Sequence, residues 1–135
     1  MPRLTVVPVL SYTDVRAAIA FLTRAFGFTE KAVYHGLDGL VVHAELTLGN
    51  GMVLLDAVKE SSFSRLLVRP AAAGGVTMTV YCVVADADIH FANASAAGAE
   101  IVRAPVTRDY GGRDYTARDP EGHLWTFGTY EPIAP

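Results

Sequence analysis

Cysteine is nearly absent from this 135-residue chain, which contains only Cys82. A single cysteine excludes an intramolecular disulfide and favours a reducing compartment, so we expect a cytoplasmic protein. Cys82 lies within an apolar run that is typical of a strand. We therefore interpret it as a small core residue, the alternative being a reactive thiol.

Charge and long apolar runs are also scarce. Charged residues make up 19% of the chain and the net charge is −3, which gives no electrostatic basis for binding nucleic acid or an anionic membrane. The apolar runs are short and broken by charges, and the first residues lack the uninterrupted apolar segment of a secretory signal. Hydrophobic residues nevertheless reach 51%, which predicts a single folded domain.

The chain contains an internal repeat. Asp14 and Asp86 each open an alanine-rich segment, and Gly51 and Gly122 each precede a closing strand. The offset between the matching residues is about 71–72 positions, which is typical of two tandem modules. Two related halves form a concave surface between them, so the repeat predicts a ligand-binding cleft.

Each half has the pattern of a β-α-β-β-β module. An aspartate precedes the helix, a glycine ends it, and alternating apolar residues indicate the strands. The expected fold class is α+β, with the two modules forming a curved mixed sheet with a cleft. The predicted divisions are residues 1–57 for the first module, 58–75 for a connector and 76–135 for the second module. The individual predictions include strands at Leu4–Ser11 and Val76–Val84 and helices at Val15–Phe26 and Asp86–Ala97.

The histidines form no recognisable catalytic or metal motif. None has the His-x-x-x-His or His-Glu-x-x-His spacing, and the chain lacks a Gly-x-Ser-x-Gly sequence. His43 and Glu45 share one strand face, either as a carboxylate–imidazole pair or as residues of a solvated or interface face. We expect His123 to brace a turn and His90 to lie on the surface of the second helix. No catalytic residue is identified.

The closing segment resembles the vicinal oxygen chelate superfamily. The resemblance is carried by the repeated module, by Tyr110-Gly111-Gly112-Arg113-Asp114-Tyr115 and by Asp119-Pro120-Glu121-Gly122-His123-Leu124-Trp125. That superfamily includes glyoxalase I, extradiol dioxygenases, thiol transferases that inactivate fosfomycin, and bleomycin-binding resistance proteins. The chain is most similar to the small bleomycin-resistance-like and PhnB-like members. The resemblance implies a homodimer in which modules complete each other's clefts.

Enzymes of that superfamily hold a divalent metal through His or Glu side chains on the first and last strand of each module. The corresponding positions here are about Val7 and Leu55 in the first module and Thr79 and Thr126 in the second. Alkyl side chains cannot ligate a metal and neutral threonine is a poor ligand. We therefore expect neither a metal nor another cofactor.

A cleft without a metal remains a pocket that aromatic side chains can line. Gly111-Gly112 permits a tight turn or close approach of a ligand, and Arg113 offers a bidentate donor for a carboxylate. The alternative is an ordinary hairpin, with the aromatic residues in core or surface packing. The candidate ligand-binding residues are Phe63, Tyr81, Tyr110, Arg113, Tyr115 and His43.

The sequence favours a metal-free protein that binds a small aromatic or amphipathic compound and pairs with a second copy of itself. The alternative is a lyase, isomerase or dioxygenase of the same superfamily that uses a displaced divalent metal. A third interpretation is an interaction protein without a small ligand. The identity of the ligand does not follow from the residues, because one fold of this kind supports several chemistries.

Overall fold

A computed structural model describes residues 3–59 and 61–133. Residues 1–2, 60 and 134–135, which belong to the predicted first module, connector and second module, lie outside the described residues. The strands are β1 (Val9–Tyr12), β2 (Thr29–His35), β3 (Val41–Leu48), β4 (Gly51–Ala57), β5 (Val80–Val83), β6 (Glu100–Thr107), β7 (Arg113–Arg118) and β8 (Leu124–Gly128). The helices are α1 (Val15–Phe26), α2 (Pro70–Ala73) and α3 (Ala87–Ala96), with a 3-10 turn at Ser64–Leu66.

The strands form two four-stranded mixed sheets of the same internal order. The first sheet runs β1-β4-β3-β2 and the second β5-β8-β7-β6. In each, the first strand pairs in parallel with the last, and the remaining pairs are antiparallel. This confirms the predicted α+β class and the two tandem β-α-β-β-β modules. Each module forms a four-stranded sheet of its own, with β1 and β5 as edge strands within the described residues.

The two long helices begin at the repeated aspartates. Asp14 accepts a hydrogen bond from the Ala17 amide (3.0 Å), and Asp86 accepts one from the Ile89 amide (2.9 Å). Each carboxylate satisfies an N–H that has no partner inside its helix. α1 ends at Gly27, whose φ of 84° lies in the left-handed region that favours glycine. The predicted bounds of α1 are confirmed, and α3 begins one residue later and ends one residue earlier than predicted.

A shared hydrophobic core holds the two modules together. One face of each sheet, here called its inner face, packs against this core, where α1 also contacts α3. Trp125 and Phe127 of β8 pack on Phe26 of α1, with ring centroids 5.8 and 4.7 Å apart. Cys82 packs against the same cluster, and burial raises the pKa of its thiol to about 12. The cysteine is therefore a core residue, as expected.

The turn between β7 and β8 fastens the second module to the first. Asp119 is 3% exposed and accepts a hydrogen bond from the Tyr12 hydroxyl (2.6 Å). The Glu121 carboxylate accepts from the backbone amides of Thr13 and Asp14. His123 donates from Nε2 to the Ser11 carbonyl (2.9 Å), which confirms the bracing role expected for it. The Asp-Pro-Glu-Gly-His segment thus joins the modules through side chains.

His90 differs from its expected place on the helix surface. Its ring lies between α1 and the second sheet, stacked on Phe127 with centroids 4.2 Å apart. Nε2 donates to the Phe26 carbonyl (2.8 Å) and Nδ1 accepts from the Tyr115 hydroxyl (2.5 Å). The helical pattern did not reveal this position because α3 has hardly any segregation of apolar and polar faces, unlike α1.

The first strand of each module differs from its predicted extent. β1 begins at Val9 because Pro8 has no N–H to donate, although its carbonyl accepts from the Leu54 amide (2.9 Å). β5 spans Val80–Val83, fewer residues than predicted. The connector contains the 3-10 turn and α2. None of the described helices is long and apolar enough to cross a membrane.

Candidate ligand-binding site

The outer face of each sheet points away from the core. Strand alternation and register place two distinct sets of side chains there. On the first sheet these are Val9, Ser11, His43, Glu45, Leu54 and Asp56. On the second sheet they are Tyr81, Val83, Arg103, Asp114, Thr116 and Thr126. Apolar side chains such as Val9 and Val83 remain exposed on these faces.

A cavity of about 540 Å³ lies between the outer face of the first sheet and the connector. Its volume falls within the range usual for small-molecule sites. Apolar side chains from three strands of the first sheet and from the connector supply most of its wall, and a few hydroxyls and charged groups interrupt them. The lining residues are Val9, Ser11, Val42, Asp56, Ala57, Val58, Lys59, Ser61, Phe63, Ser64, Leu67 and Arg69.

The connector shapes one wall of this cavity. Ser61 and Ser64 exchange hydrogen bonds: the Ser61 amide donates to the Ser64 hydroxyl oxygen (2.9 Å) and the Ser64 amide to the Ser61 hydroxyl oxygen (3.1 Å). These bonds fix the turn that carries Phe63, which lines the cavity while 67% of it is exposed. A large aromatic side chain exposed beside an apolar cavity is positioned to contact a ligand. Phe63 is therefore a wall residue of the candidate site.

His43 borders the cavity through Asp56. His43 Nδ1 donates to Asp56 Oδ1 (2.6 Å), and Glu45 Oε2 lies 3.7 Å from His43 Nε2. The Tyr34 ring lies beside the imidazole, with centroids 5.6 Å apart. A carboxylate–imidazole pair therefore forms between His43 and Asp56, while Glu45, the partner considered from the sequence, is a neighbour. Asp56 was missed in the sequence because it lies on a different strand from His43.

Two cationic side chains, Lys59 and Arg69, line the cavity from the connector side. Arg69 donates from a terminal guanidinium nitrogen to the Thr13 hydroxyl (2.6 Å). Within residues 3–59 and 61–133, neither cation makes an ion pair. No motif indicates these residues, because only the path of the connector brings them to the cavity.

The outer face of the second sheet carries a polar network. Arg108 makes two hydrogen bonds to the Asp114 carboxylate, each 2.9 Å, and Arg103 lies 3.6 Å from the same carboxylate. The bonds from Arg108 hold the pKa of Asp114 below its usual value. The Thr116 hydroxyl pairs with that of Thr126 (2.8 Å) and accepts from Arg103 (3.2 Å). This face is charged and mutually bonded, in contrast to the apolar cavity.

Three tyrosines gather at one end of that network. The Tyr81 hydroxyl donates to the Tyr130 carbonyl (2.6 Å), and the Tyr110 ring meets the Tyr130 ring edge to face at 5.2 Å. Tyr81 and Tyr110 are both exposed. The structure thus brings these two candidates together at one end of the second sheet, apart from Phe63 of the connector and His43 of the first sheet. Tyr130 was not singled out in the sequence.

Two of the candidate residues lie on the wrong side of β7 for a ligand in either place. Tyr115 is fully buried in the core, where its hydroxyl bonds to His90, so it has no surface to offer. Arg113 has the same strand parity and reaches α3, where Nε and a terminal nitrogen donate to the Asp88 carboxylate (2.9 and 3.1 Å). Strand alternation points both side chains toward the helix layer. The stacking role predicted for Tyr115 and the bidentate ligand-binding role predicted for Arg113 are therefore corrected.

The residues at the superfamily's metal positions do not fit a metal ion. Leu55 is fully buried on the inner face, and its outer-face neighbours on β4 are Leu54 and Asp56, whose carboxylate is bonded to His43. Thr126 does lie on the outer face, but its hydroxyl is paired with Thr116. In the ranges that the structure describes, no three His, Cys, Asp or Glu side chains are grouped to hold a metal ion. Alkyl and hydroxyl groups are not the ligands that divalent metals prefer.

A family model matches almost the whole chain. Residues 5–127 match the model of the glyoxalase/bleomycin resistance protein/dioxygenase superfamily. An uncharacterized protein of Mycobacterium bovis is 32% identical over 121 residues, which cover 90% of this chain and 80% of the relative. The match therefore covers both modules and the connector.

Solved structures share the same architecture. The crystal structure of TioX from Micromonospora sp. ML1 has a TM-score of 0.76 and 36% identity, with coverage of 96% of this chain and 100% of TioX. The fosfomycin resistance protein FosX of Mesorhizobium loti has a TM-score of 0.64 and 16% identity, with coverage of 97% and 95%. At that identity FosX shows the fold alone.

Proposed function

The chain belongs to the glyoxalase/bleomycin resistance protein/dioxygenase superfamily, and from that premise we propose that it is a metal-free small-molecule-binding protein. The proposed ligand is an aromatic or amphipathic compound held in the cavity of the first sheet. The carrying observation is that cavity of about 540 Å³, with apolar walls from the first sheet and the connector and an exposed aromatic side chain at its edge. Apolar walls with few polar groups are the usual composition of such sites.

Stacking and burial supply the affinity in this proposal. An aromatic pair contributes on the order of 0.5–1.5 kcal/mol beyond the area it buries. Phe63 offers one such face, while Val9, Val42 and Leu67 offer apolar area. Binding in the micromolar range corresponds to about 8.2 kcal/mol, so burial of apolar area has to supply most of the affinity. Sequestering a compound requires no more than this.

Binding of three naphthalene compounds of similar size tests the proposal. Naphthoate carries a negative charge, naphthylmethanol none and naphthylmethylammonium a positive charge. Isothermal titration calorimetry is expected to detect binding of at least one, and Phe63→Ser is expected to weaken it about tenfold because a stacking face is lost. Leu37→Ser, which removes an exposed side chain from the β2–β3 turn, is the matched control and is expected to change nothing. Absence of binding by all three compounds would contradict the proposal.

We further propose that two copies pair through their outer faces. Support comes from the apolar side chains left exposed there, including Val9, Tyr81 and Val83. Closed two-fold dimers are also the commonest assembly of such chains. Tyr81 and Tyr110, on the second sheet, are then candidate contacts for a ligand held between the copies.

A second candidate function is a lyase, isomerase or dioxygenase with a displaced divalent metal. The observation that favours it is the imidazole of His43 between Asp56 and Glu45, one carboxylate bonded at 2.6 Å and the other 3.7 Å away. A metal held there would require these three side chains to rearrange. Metal content separates the two functions directly.

A further inference from the structure

We propose that the cavity of the first sheet selects an apolar compound with one negative charge, a monocarboxylate in the simplest case, and that Arg69 binds this charge. This inference rests on the proposed function, because it names the class of compound that the same cavity holds. It assigns to the connector the oxyanion-binding role that the sequence pattern suggested for Arg113. Three observations carry it: the position of Arg69, the state of the other charges at the cavity, and the apolar side chains that line the same cavity.

Arg69 has donor capacity to spare at the edge of the cavity. A guanidinium presents five N–H groups in a planar fork. One terminal nitrogen of Arg69 donates to the Thr13 hydroxyl. That bond orients the group without neutralising it. Within the described ranges the guanidinium of Arg69 makes no ion pair. Lys59 lines the same cavity and makes no ion pair in those ranges either.

The carboxylate in the cavity wall is already engaged. Asp56 accepts the hydrogen bond from His43 at 2.6 Å, and Glu45 beside it lies within 3.9 Å of Lys31. A ligand cation would therefore have to compete with His43 for Asp56. A ligand anion meets no such competitor at Arg69.

Other arginines are poorer candidates for this role. Arg113 is held by Asp88 in a bidentate pair, and Arg108 is held by Asp114 in another. A new carboxylate would have to displace an existing one at either position. Arg69 matches the fork geometry that guanidinium groups use for carboxylates, and it does so beside an apolar wall formed by Val9, Val58 and Leu67.

The three naphthalene compounds test the charge preference, because they differ mainly in charge. Naphthoate is expected to bind at least about tenfold more tightly than naphthylmethanol, as charge-assisted hydrogen bonds are stronger than neutral ones. Arg69→Gln is expected to abolish this preference, so that the variant binds naphthoate and naphthylmethanol with similar affinities. Arg65→Gln is the matched control, since Arg65 lies on the same connector but not among the lining residues, and it is expected to retain the preference.

The outcomes separate failure of the inference from failure of the proposed function. Equal binding of naphthoate and naphthylmethanol, or tighter binding of naphthylmethylammonium, would overturn the charge assignment and leave the cavity as a binding site. A preference for naphthoate that survives Arg69→Gln would overturn the role of Arg69. Failure of all three compounds to bind would overturn the proposed function and this inference with it. Far-ultraviolet circular dichroism of each variant verifies that it is folded.

Discussion

Several hydrogen bonds converge on the buried carboxylate of Asp119 at the junction of the modules. Its carboxylate accepts from the Tyr12 hydroxyl, the Trp125 indole N–H and the backbone amides of Glu121 and His123. Burial, with the Asp119 charge as a second cause, raises the pKa of Tyr12 far above its usual value, so the phenol remains a donor. The Asp119 side chain therefore links β1 to the turn between β7 and β8.

Asp119→Asn is expected to lower the free energy of unfolding by about 2–4 kcal/mol. The amide NH₂ faces groups that are themselves donors, so buried donors lose their acceptor. Urea denaturation measures the change. Asp109→Asn, at an exposed position in the β6–β7 turn, is the control, with an expected change within about 0.5 kcal/mol. A similarly small change at Asp119 would show that the junction does not depend on this carboxylate.

His90 gives the stability of the protein a pH dependence of known sign. Burial disfavours the charged imidazole and lowers the pKa of His90 below its usual value of 6.5, although the hydrogen bond to the Phe26 carbonyl opposes this shift. The unfolded chain binds the proton more readily, so the contribution of His90 is fully present above about pH 6.5. It is lost as the pH falls from there through the lower pKa of the folded state.

The free energy of unfolding is therefore expected to fall more steeply between about pH 7 and pH 5 in the natural protein than in His90→Gln. The variant removes the titrating group while the other three histidines remain. Urea denaturation across this pH interval provides the comparison. Parallel pH profiles for the two proteins would contradict the assigned cause.

At the scale of elements, short-range signals in the sequence predicted the bounds of the long helices closely. The bounds of α1 follow from an aspartate that caps it and a glycine that ends it, both within the helix's own segment. The candidate site depends on chain path instead. Asp56 contacts His43 from the neighbouring strand. Arg69 reaches the cavity because of the path of the connector, whose sequence has neither strand periodicity nor that of a long helix. For this reason Phe63 was the one connector residue anticipated.

The β7–β8 turn packs closely against α2 through Gly122. Its φ is 97°, and a Cβ there would lie 2.9 Å from Cβ of Pro70. Gly27 is also in the left-handed region, but a Cβ there meets nothing within 4 Å. The two positions therefore separate backbone strain from the contact with α2.

Gly122→Ala is expected to destabilise the protein more than Gly27→Ala. Strain in the left-handed region costs roughly 1–2 kcal/mol at both positions. Overpacking against Pro70 adds about 1–3 kcal/mol at Gly122 alone. Thermal or urea denaturation of both variants supplies the measurement. Equal losses would mean that α2 yields to the new methyl group without cost.

At the scale of the whole molecule, the two outer faces are the surfaces that we propose join two copies. The inner faces of both sheets and the two long helices pack in the shared core. Apolar residues such as Val83, on an edge strand, remain exposed. Such an exposed edge favours pairing with another chain. This arrangement could not be inferred from either module by itself, because only the packing of both modules shows which faces stay uncovered.

Sedimentation equilibrium is expected to show a dimer that Val83→Glu converts to monomer, because a buried unpaired charge would oppose association. Ile89→Glu is the control, since Ile89 is exposed on α3, away from the outer faces, and the dimer is expected to persist. A monomeric natural protein would refute outer-face pairing. A Val83→Glu dimer would place the interface elsewhere.

Native mass spectrometry of the untagged protein, with and without naphthoate, tests the central proposal most directly. The chain is expected to carry no divalent metal and to bind one naphthoate per chain, with less bound to Phe63→Ser. One divalent metal per chain in the purified protein would contradict the proposal of metal-free binding. It would instead favour an enzyme whose metal is held near His43, Glu45 and Asp56.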